Sequence, residues 1–116
     1  MRLLAFLALV LATPAFADMG KGATPLKVMA GSKAESHTNA GIEHYGMGHW
    51  DVAKKHFTEA EQADPNSAEA HYNLALVLDK SGDHGGASAH FKQAQELGKN
   101  NAEIQNSEIL KKHVKM

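Results

Sequence analysis

The chain repeats its own pattern at a spacing of 34 residues, and this repeat limits the folds that it can adopt. The capping-box pattern that marks a helix N-terminus recurs at that interval. A Ser or Asn stands three residues before a Glu in Ser32…Glu35, Asn66…Glu69 and Asn100…Glu103. Other pairs with the same offset are Gly48 and Gly82, Ala53 and Ala87, and His56-Phe57 and His90-Phe91. A period of about 20 to 50 residues is typical of a solenoid, in which each unit packs on its neighbours.

The apolar residues inside each unit have a helical spacing. Trp50, Ala53, Phe57 and Ala60 fall on one face of a helix, and the second unit repeats the pattern on two helices. Gly48 and Gly82 mark turns, and Asp83 is placed to cap the helix after the second turn. We therefore predict helices at about 34–46, 50–63, 68–81, 84–97 and 101–114.

This pattern resembles the tetratricopeptide repeat. The family signature falls on Ala40, Gly41, Gly48, Trp50, Ala53, Phe57, Ala60 and Pro65, and then on Leu74, Ala75, Leu78, Gly82, Ala87, Phe91 and Ala94. The resemblance implies an all-α fold, a short right-handed α-solenoid. Its parts would be one repeat at 34–67, a second at 68–101, and a capping helix at 102–116. The outer helix of the second repeat begins with Gly85-Gly86, so we expect it to fray more readily.

The N-terminal residues have the features of an export signal. Residues 1–17 contain a positive charge at Arg2, an apolar run from Leu3 to Ala12, and Ala15-Phe16-Ala17 as a cleavage site. The run would rise about 15 Å as a helix, which is too short to cross a bilayer. We predict a secreted or periplasmic protein without a membrane span after cleavage. Residues 18–33 contain three Gly and one Pro and are predicted to form a flexible leader. The apolar residues of this leader would also allow it to fold over a groove.

Composition excludes several classes of function. The chain has 12 basic and 13 acidic residues, so it lacks the positive field of a general nucleic-acid binder. It has no Cys, which excludes disulfides, thiolate metal sites and a cysteine nucleophile. Phosphate-binding loops and hydrolase motifs are also absent from the sequence. We predict a protein that is not an enzyme, and we assign no catalytic residue and no cofactor.

The resemblance implies binding of another protein or a peptide in a concave groove, which the first helix of each pair lines. The residues that this face would contribute are Thr38, Asn39, Ile42, Tyr45, Tyr72, Asn73, Leu76, Asp79 and Leu110. A competing interpretation is that Tyr72 and Leu76 pack against the neighbouring helix. Asn39 and Asn73 match the Asn positions with which some members of the family clamp a C-terminal carboxylate. Because Glu35 and Glu69 stand where Lys would help, clamping of that kind is not expected.

Histidine is unusually frequent, with eight residues in 116. His37 and His44 are seven residues apart on one helix, which separates them by about 10 Å, too far for one ion. We expect His37 and His71, and likewise His56 and His90, to stack between neighbouring repeats. No metal ligand set is assigned. The predicted function is an exported protein–protein interaction module, acting as adaptor, scaffold or assembly factor. The alternatives are a histidine-rich periplasmic metal-binding protein and a scaffold that assembles with itself; a pH response of the histidines also stays open.

Overall fold

Six helices run through residues 23–114, the part of the chain that the structure, a computed structural model, describes. They are α1 (Glu35–Gly46), α2 (Trp50–Ala63), α3 (Ala68–Lys80), α4 (His84–Leu97), α5 (Ala102–Gln105) and α6 (Glu108–His113). The predicted export signal at residues 1–17 lies outside the described residues.

The four long helices form two helix-turn-helix hairpins, α1 with α2 and α3 with α4, and the hairpins pack side by side through α2 and α3. Each long helix agrees with its predicted range to within one residue. Both hairpin turns contain a glycine with positive φ, +75° at Gly48 and +91° at Gly82. Side chains with a Cβ rarely adopt this conformation, which confirms the prediction that these glycines mark turns.

Each hairpin has one buried phenylalanine on its second helix, with a buried alanine one turn before it. In the first hairpin Gly41 of α1 lies against the phenylalanine ring. Phe57 and Phe91 are fully buried, as are Ala53 and Ala87. Phe91 also meets the edge of the Tyr72 ring, with centroids 5.6 Å apart. The helices of a hairpin can approach closely because small side chains leave room for these rings.

Of the four predicted helix caps, three differ in the structure and one is confirmed. Ser67 and Asn101, rather than Asn66 and Asn100, accept hydrogen bonds from Ala70 N and Ile104 N. Their extended backbone directs the side chain at the third amide of the helix. Ser32 does not cap α1 with its side chain, because its hydroxyl is buried without a partner. Asp83 caps α4 as predicted, since its Oδ1 accepts from Gly86 N at 2.8 Å.

The C-terminal helix is two short helices rather than the single predicted one. A break at Asn106 and Ser107 separates α5 from α6. Ser107 takes extended backbone angles and its hydroxyl accepts from Leu110 N, so it begins a new helix. The same hydroxyl lies 2.7 Å from the Tyr72 hydroxyl, which binds the break to α3. Ser107 therefore forms a hydrogen bond with Tyr72 of α3 instead of continuing the helix.

The two glycines at the start of α4 allow a matched stability test. A Cβ added at Gly85 would meet nothing within 4 Å, whereas one at Gly86 would lie 2.5 Å from Asp83 Oδ2. We expect Gly85→Ala to raise the free energy of unfolding by about 0.5 to 1 kcal/mol, because alanine loses less backbone entropy on folding. Gly86→Ala should give no gain, because it displaces the capping carboxylate. Urea denaturation of both variants measures the difference, and equal gains would contradict this explanation.

Candidate functional site

The predicted groove residues fall into three groups by their exposure in the structure. Thr38, Tyr45, Tyr72, Asn73, Leu76 and Leu110 are buried, Ile42 and Asp79 are half-buried, and Asn39 is exposed. Tyr45, Tyr72, Leu76 and Leu110 belong to one apolar cluster, against which Ile42 packs. Tyr72 and Leu76 are thus buried, and Tyr72 packs against Phe91 of the neighbouring helix α4, as the competing interpretation expected. In this conformation those two side chains are not open to a partner.

Residues 23–29 lie against the groove face of α3 without regular secondary structure. The side chain of Asn73 binds the backbone of Leu26 twice. Its Oδ1 accepts from Leu26 N at 2.7 Å, and its Nδ2 donates to Leu26 O at 2.7 Å. Asn73 is fully buried, and this pair of bonds satisfies both ends of its amide.

The segment 23–29, which we call the leader strand, runs antiparallel to α3. Leu26 is bound at Asn73, while Val28 packs against a small cluster that contains Ala70, three residues earlier on α3. Exposure alternates along the leader strand, because Leu26 and Val28 are half-buried while Lys27 and Met29 are exposed. This is the period of an extended chain with one face on a surface. The possibility that the leader folds over the groove is thus realised for these residues.

The two tyrosines of the groove are packing residues with perturbed acidity. Burial raises the pKa of Tyr45 to about 12, with smaller contributions from Tyr72 and Asp79. Burial also raises the pKa of Tyr72, which the hydrogen bond with Ser107 partly offsets. The Tyr45 ring meets Trp50 edge-on, with centroids 5.0 Å apart. Both phenols therefore stay neutral, and they fix the relative position of the helices.

Asp79 joins three helices through one carboxylate oxygen. Its Oδ1 accepts from His84 Nδ1 at 2.7 Å and from His113 Nε2 at 2.9 Å. The other ring nitrogen, His113 Nδ1, lies 3.0 Å from the carbonyl oxygen of Ile109. This contact fastens α6 to the end of α3 and to the start of α4.

A comparison with known protein families identifies the family to which these helical hairpins belong. The family model described as tetratricopeptide repeat matches residues 38–102, which is more than half of the chain. The chain belongs to the tetratricopeptide repeat family. Repeats of this family are generally modules for protein–protein interaction, and their fold is not a catalytic one. No curated protein matches the chain. Between residues 23 and 114, none of the helices is both long and apolar enough to cross a membrane.

The histidines of the two tetratricopeptide hairpins pair within each repeat, which corrects the expected stacking between repeats. His37 stacks on His56 across α1 and α2, with centroids 6.3 Å apart. His71 stacks on His90 across α3 and α4 at 5.3 Å. Spacing along one helix does not reveal these pairs, because an antiparallel hairpin brings positions 19 residues apart face to face. Burial, followed by the neighbouring His71, lowers the pKa of His90.

Proposed function

We propose that this protein is an exported adaptor or assembly factor that holds an extended segment of a partner protein against the groove face of α3. The observation that carries the proposal is the pair of hydrogen bonds between Asn73 and the backbone of Leu26. A side chain that binds both polar groups of one residue recognises extended main chain whatever its sequence. The leader strand supports the proposal, because it is an extended segment bound in this way.

The contacts of the leader strand also describe the chemistry of a suitable partner. Leu26 and Val28, two residues apart, both face the helices, and Lys27 between them points to solvent. An extended chain places alternate side chains on one face, so the partner segment would carry apolar residues at alternate positions. Its main chain would replace that of Leu26 on Asn73.

Export is proposed from the sequence of residues 1–17, with its basic start, apolar run and small-residue cleavage site. The partner would then be a protein of the cell envelope or the exterior. N-terminal sequencing of the chain recovered outside the cytoplasm should find Asp18 as the first residue. An intact N-terminus, or recovery with the cytoplasmic fraction alone, would count against export.

Competition between the leader strand and a partner provides the test. Leu26→Asp removes an apolar contact of the leader strand and should open the groove, while Asn73 stays in place. We expect an envelope protein to be captured more strongly by the Leu26→Asp chain than by the wild-type chain. The same protein should be lost when Asn73→Ala is added. A synthetic peptide from the captured protein should then bind the Leu26→Asp chain directly.

The double variant is the matched control, because both baits have a released leader strand and differ only at Asn73. Circular dichroism of each bait confirms that the helices are retained. Equal capture by the single and the double variant would show that Asn73 does not hold the partner, and the proposed groove would then be wrong. Capture of a second copy of the chain would favour the self-assembling scaffold.

A further inference from the structure

All eight histidines lie within the described residues, and the structure gathers them into three groups. His37, His44, His49 and His56 form a chain of ring contacts on the first hairpin, with Glu59 beside them. The second group is His71 with His90, and the third is His84 with His113 on Asp79. The first two groups contain the equivalent pairs His37/His56 and His71/His90, which makes a direct comparison possible.

The pair in the second repeat is fully explained by hydrogen bonds. His71 Nε2 lies 2.7 Å from the carbonyl oxygen of Pro65, which can only accept, so this nitrogen carries a proton. His71 Nδ1 then has a free lone pair, and it can accept from His90 Nδ1 at 3.0 Å. Every contact of this pair is satisfied by neutral rings, and no further ligand is needed.

The pair in the first repeat is not satisfied in this way. His37 Nδ1 and His56 Nδ1 lie 3.2 and 3.4 Å from the same oxygen, Oε1 of Glu59. His56 Nδ1 is nevertheless buried without a hydrogen bond. The other carboxylate oxygen, Oε2, lies 3.5 Å from Lys55 Nζ, so Oε1 remains directed at the two rings. A buried ring nitrogen without a hydrogen bond is rare, and a bound cation would give this one a partner.

The two repeats differ in sequence at the position of the carboxylate residue Glu59. The residue 34 positions after Glu59 is Gln93, although both histidines of the pair are repeated. At this position the first repeat therefore has a carboxylate and the second a neutral amide. A carboxylate oxygen of Glu61 also lies 3.9 Å from His71 Nε2, but that nitrogen already donates to the carbonyl oxygen of Pro65. Two imidazoles with a carboxylate match the ligands that zinc, copper and nickel take from proteins. Asp79, His84 and His113 offer the same set, but there the carboxylate oxygen already accepts hydrogen bonds from both rings.

We propose that His37, His56 and Glu59 bind one divalent transition-metal ion of the zinc, copper and nickel class. The ligand atoms of the three residues all lie within 4.8 Å of one another. Two ligands on one tetrahedral ion, each about 2.0 to 2.1 Å from it, are about 3.3 Å apart, close to the separations from Glu59 Oε1. Three protein ligands leave one position for water or for a group of a partner.

The adjacent histidines His44 and His49 are not part of the proposed ligand set. Their Nδ1 atoms lie 3.2 Å apart, so one proton between them satisfies both. The His44 ring stacks on His56, with centroids 5.7 Å apart, and it restricts the rotation of that ligand. The bound ion would connect α1 to α2, and would stabilise the first hairpin by an amount that grows with the logarithm of its free concentration. This inference does not depend on the proposed groove, since Asn73 and Leu26 take no part in it.

The test is calorimetric titration of the chain, purified without a polyhistidine tag, with zinc, copper(II) and nickel(II) chlorides. We expect one equivalent of at least one ion to bind saturably. His56→Gln should weaken that binding by at least about tenfold, since even the loss of an outer-shell partner costs about 10- to 100-fold. His90→Gln, the equivalent change in the second repeat, should leave the affinity unchanged within about twofold.

Glu59→Gln is the second variant, because it copies the amide found in the second repeat and changes a side chain at the surface. It too should weaken binding by at least about tenfold. Circular dichroism checks that each variant keeps its helices. The proposal is overturned if the wild-type chain takes up none of the three ions at one equivalent. It is also overturned if Glu59→Gln binds as the wild type does, or if His90→Gln loses as much affinity as His56→Gln.

Discussion

Gly41→Ala is expected to lower the free energy of unfolding by about 3 kcal/mol, because the added methyl group would enter the ring of Phe57. A Cβ at this position would lie 2.4 Å from Phe57 Cε1 and 2.5 Å from Cδ1. Phe57 is fully buried between the two helices of the first hairpin, so the ring cannot turn away without moving them. Urea denaturation of the variant and the wild type measures the loss.

Gly46→Ala is the matched control on the same helix. A Cβ added there meets nothing within 4 Å, so the variant should be as stable as the wild type or slightly more stable. Combining Gly41→Ala with Phe57→Leu should recover part of the loss, since the smaller side chain makes room for the methyl group. A loss below about 1 kcal/mol for Gly41→Ala would mean that the hairpin adjusts easily, and that close approach does not explain the glycine.

The local elements could be predicted because their causes are local. The 34-residue period, the apolar spacing and the turn glycines Gly48 and Gly82 are visible in the sequence, and they determine the four long helices. The break at Ser107 could not be predicted in this way. It depends on a hydrogen bond with Tyr72, 35 residues earlier, and sequence spacing gives no measure of such contacts.

The candidate sites depend on contacts between distant residues, and they were predicted less well. Asn39 and Asn73 are the same residue at equivalent places, yet one is exposed and the other is buried under the leader strand. The difference comes from Leu26, 47 residues from Asn73, which no repeat pattern indicates. The histidine groups could not be predicted for a similar reason, because positions that face each other on antiparallel helices are not close in sequence. Predicting them requires the hairpin geometry first, and then the comparison of both repeats position by position.

Asn73→Ala is expected to lower the free energy of unfolding by about 2 kcal/mol and to release the leader strand. The change removes two hydrogen bonds of 2.7 Å, each worth about 1 kcal/mol, and it leaves both backbone groups of Leu26 without their partner. The Leu26 amide should then exchange its hydrogen as fast as in an unfolded chain. Trypsin should also cut after the exposed Lys27 faster than in the wild type. Hydrogen-exchange mass spectrometry and timed proteolysis measure the two effects.

Asn39→Ala is the matched control, because Asn39 occupies the equivalent position of the first repeat but is exposed. It tests whether the effect of Asn73→Ala comes from the buried amide and not from the position in the repeat. It should change stability by less than about 0.5 kcal/mol and leave the exchange of Leu26 as it was. Asn73→Asp is the sharper variant: a carboxylate can still accept from Leu26 N, but it repels Leu26 O and so should release the leader strand as alanine does. If Leu26 stays protected in both Asn73 variants, apolar packing alone holds the leader strand. The Asn73 amide would then have no part in selecting a partner main chain. If protection is lost in both, the Asn73 amide holds the main chain of Leu26, as the proposed recognition of a partner main chain requires.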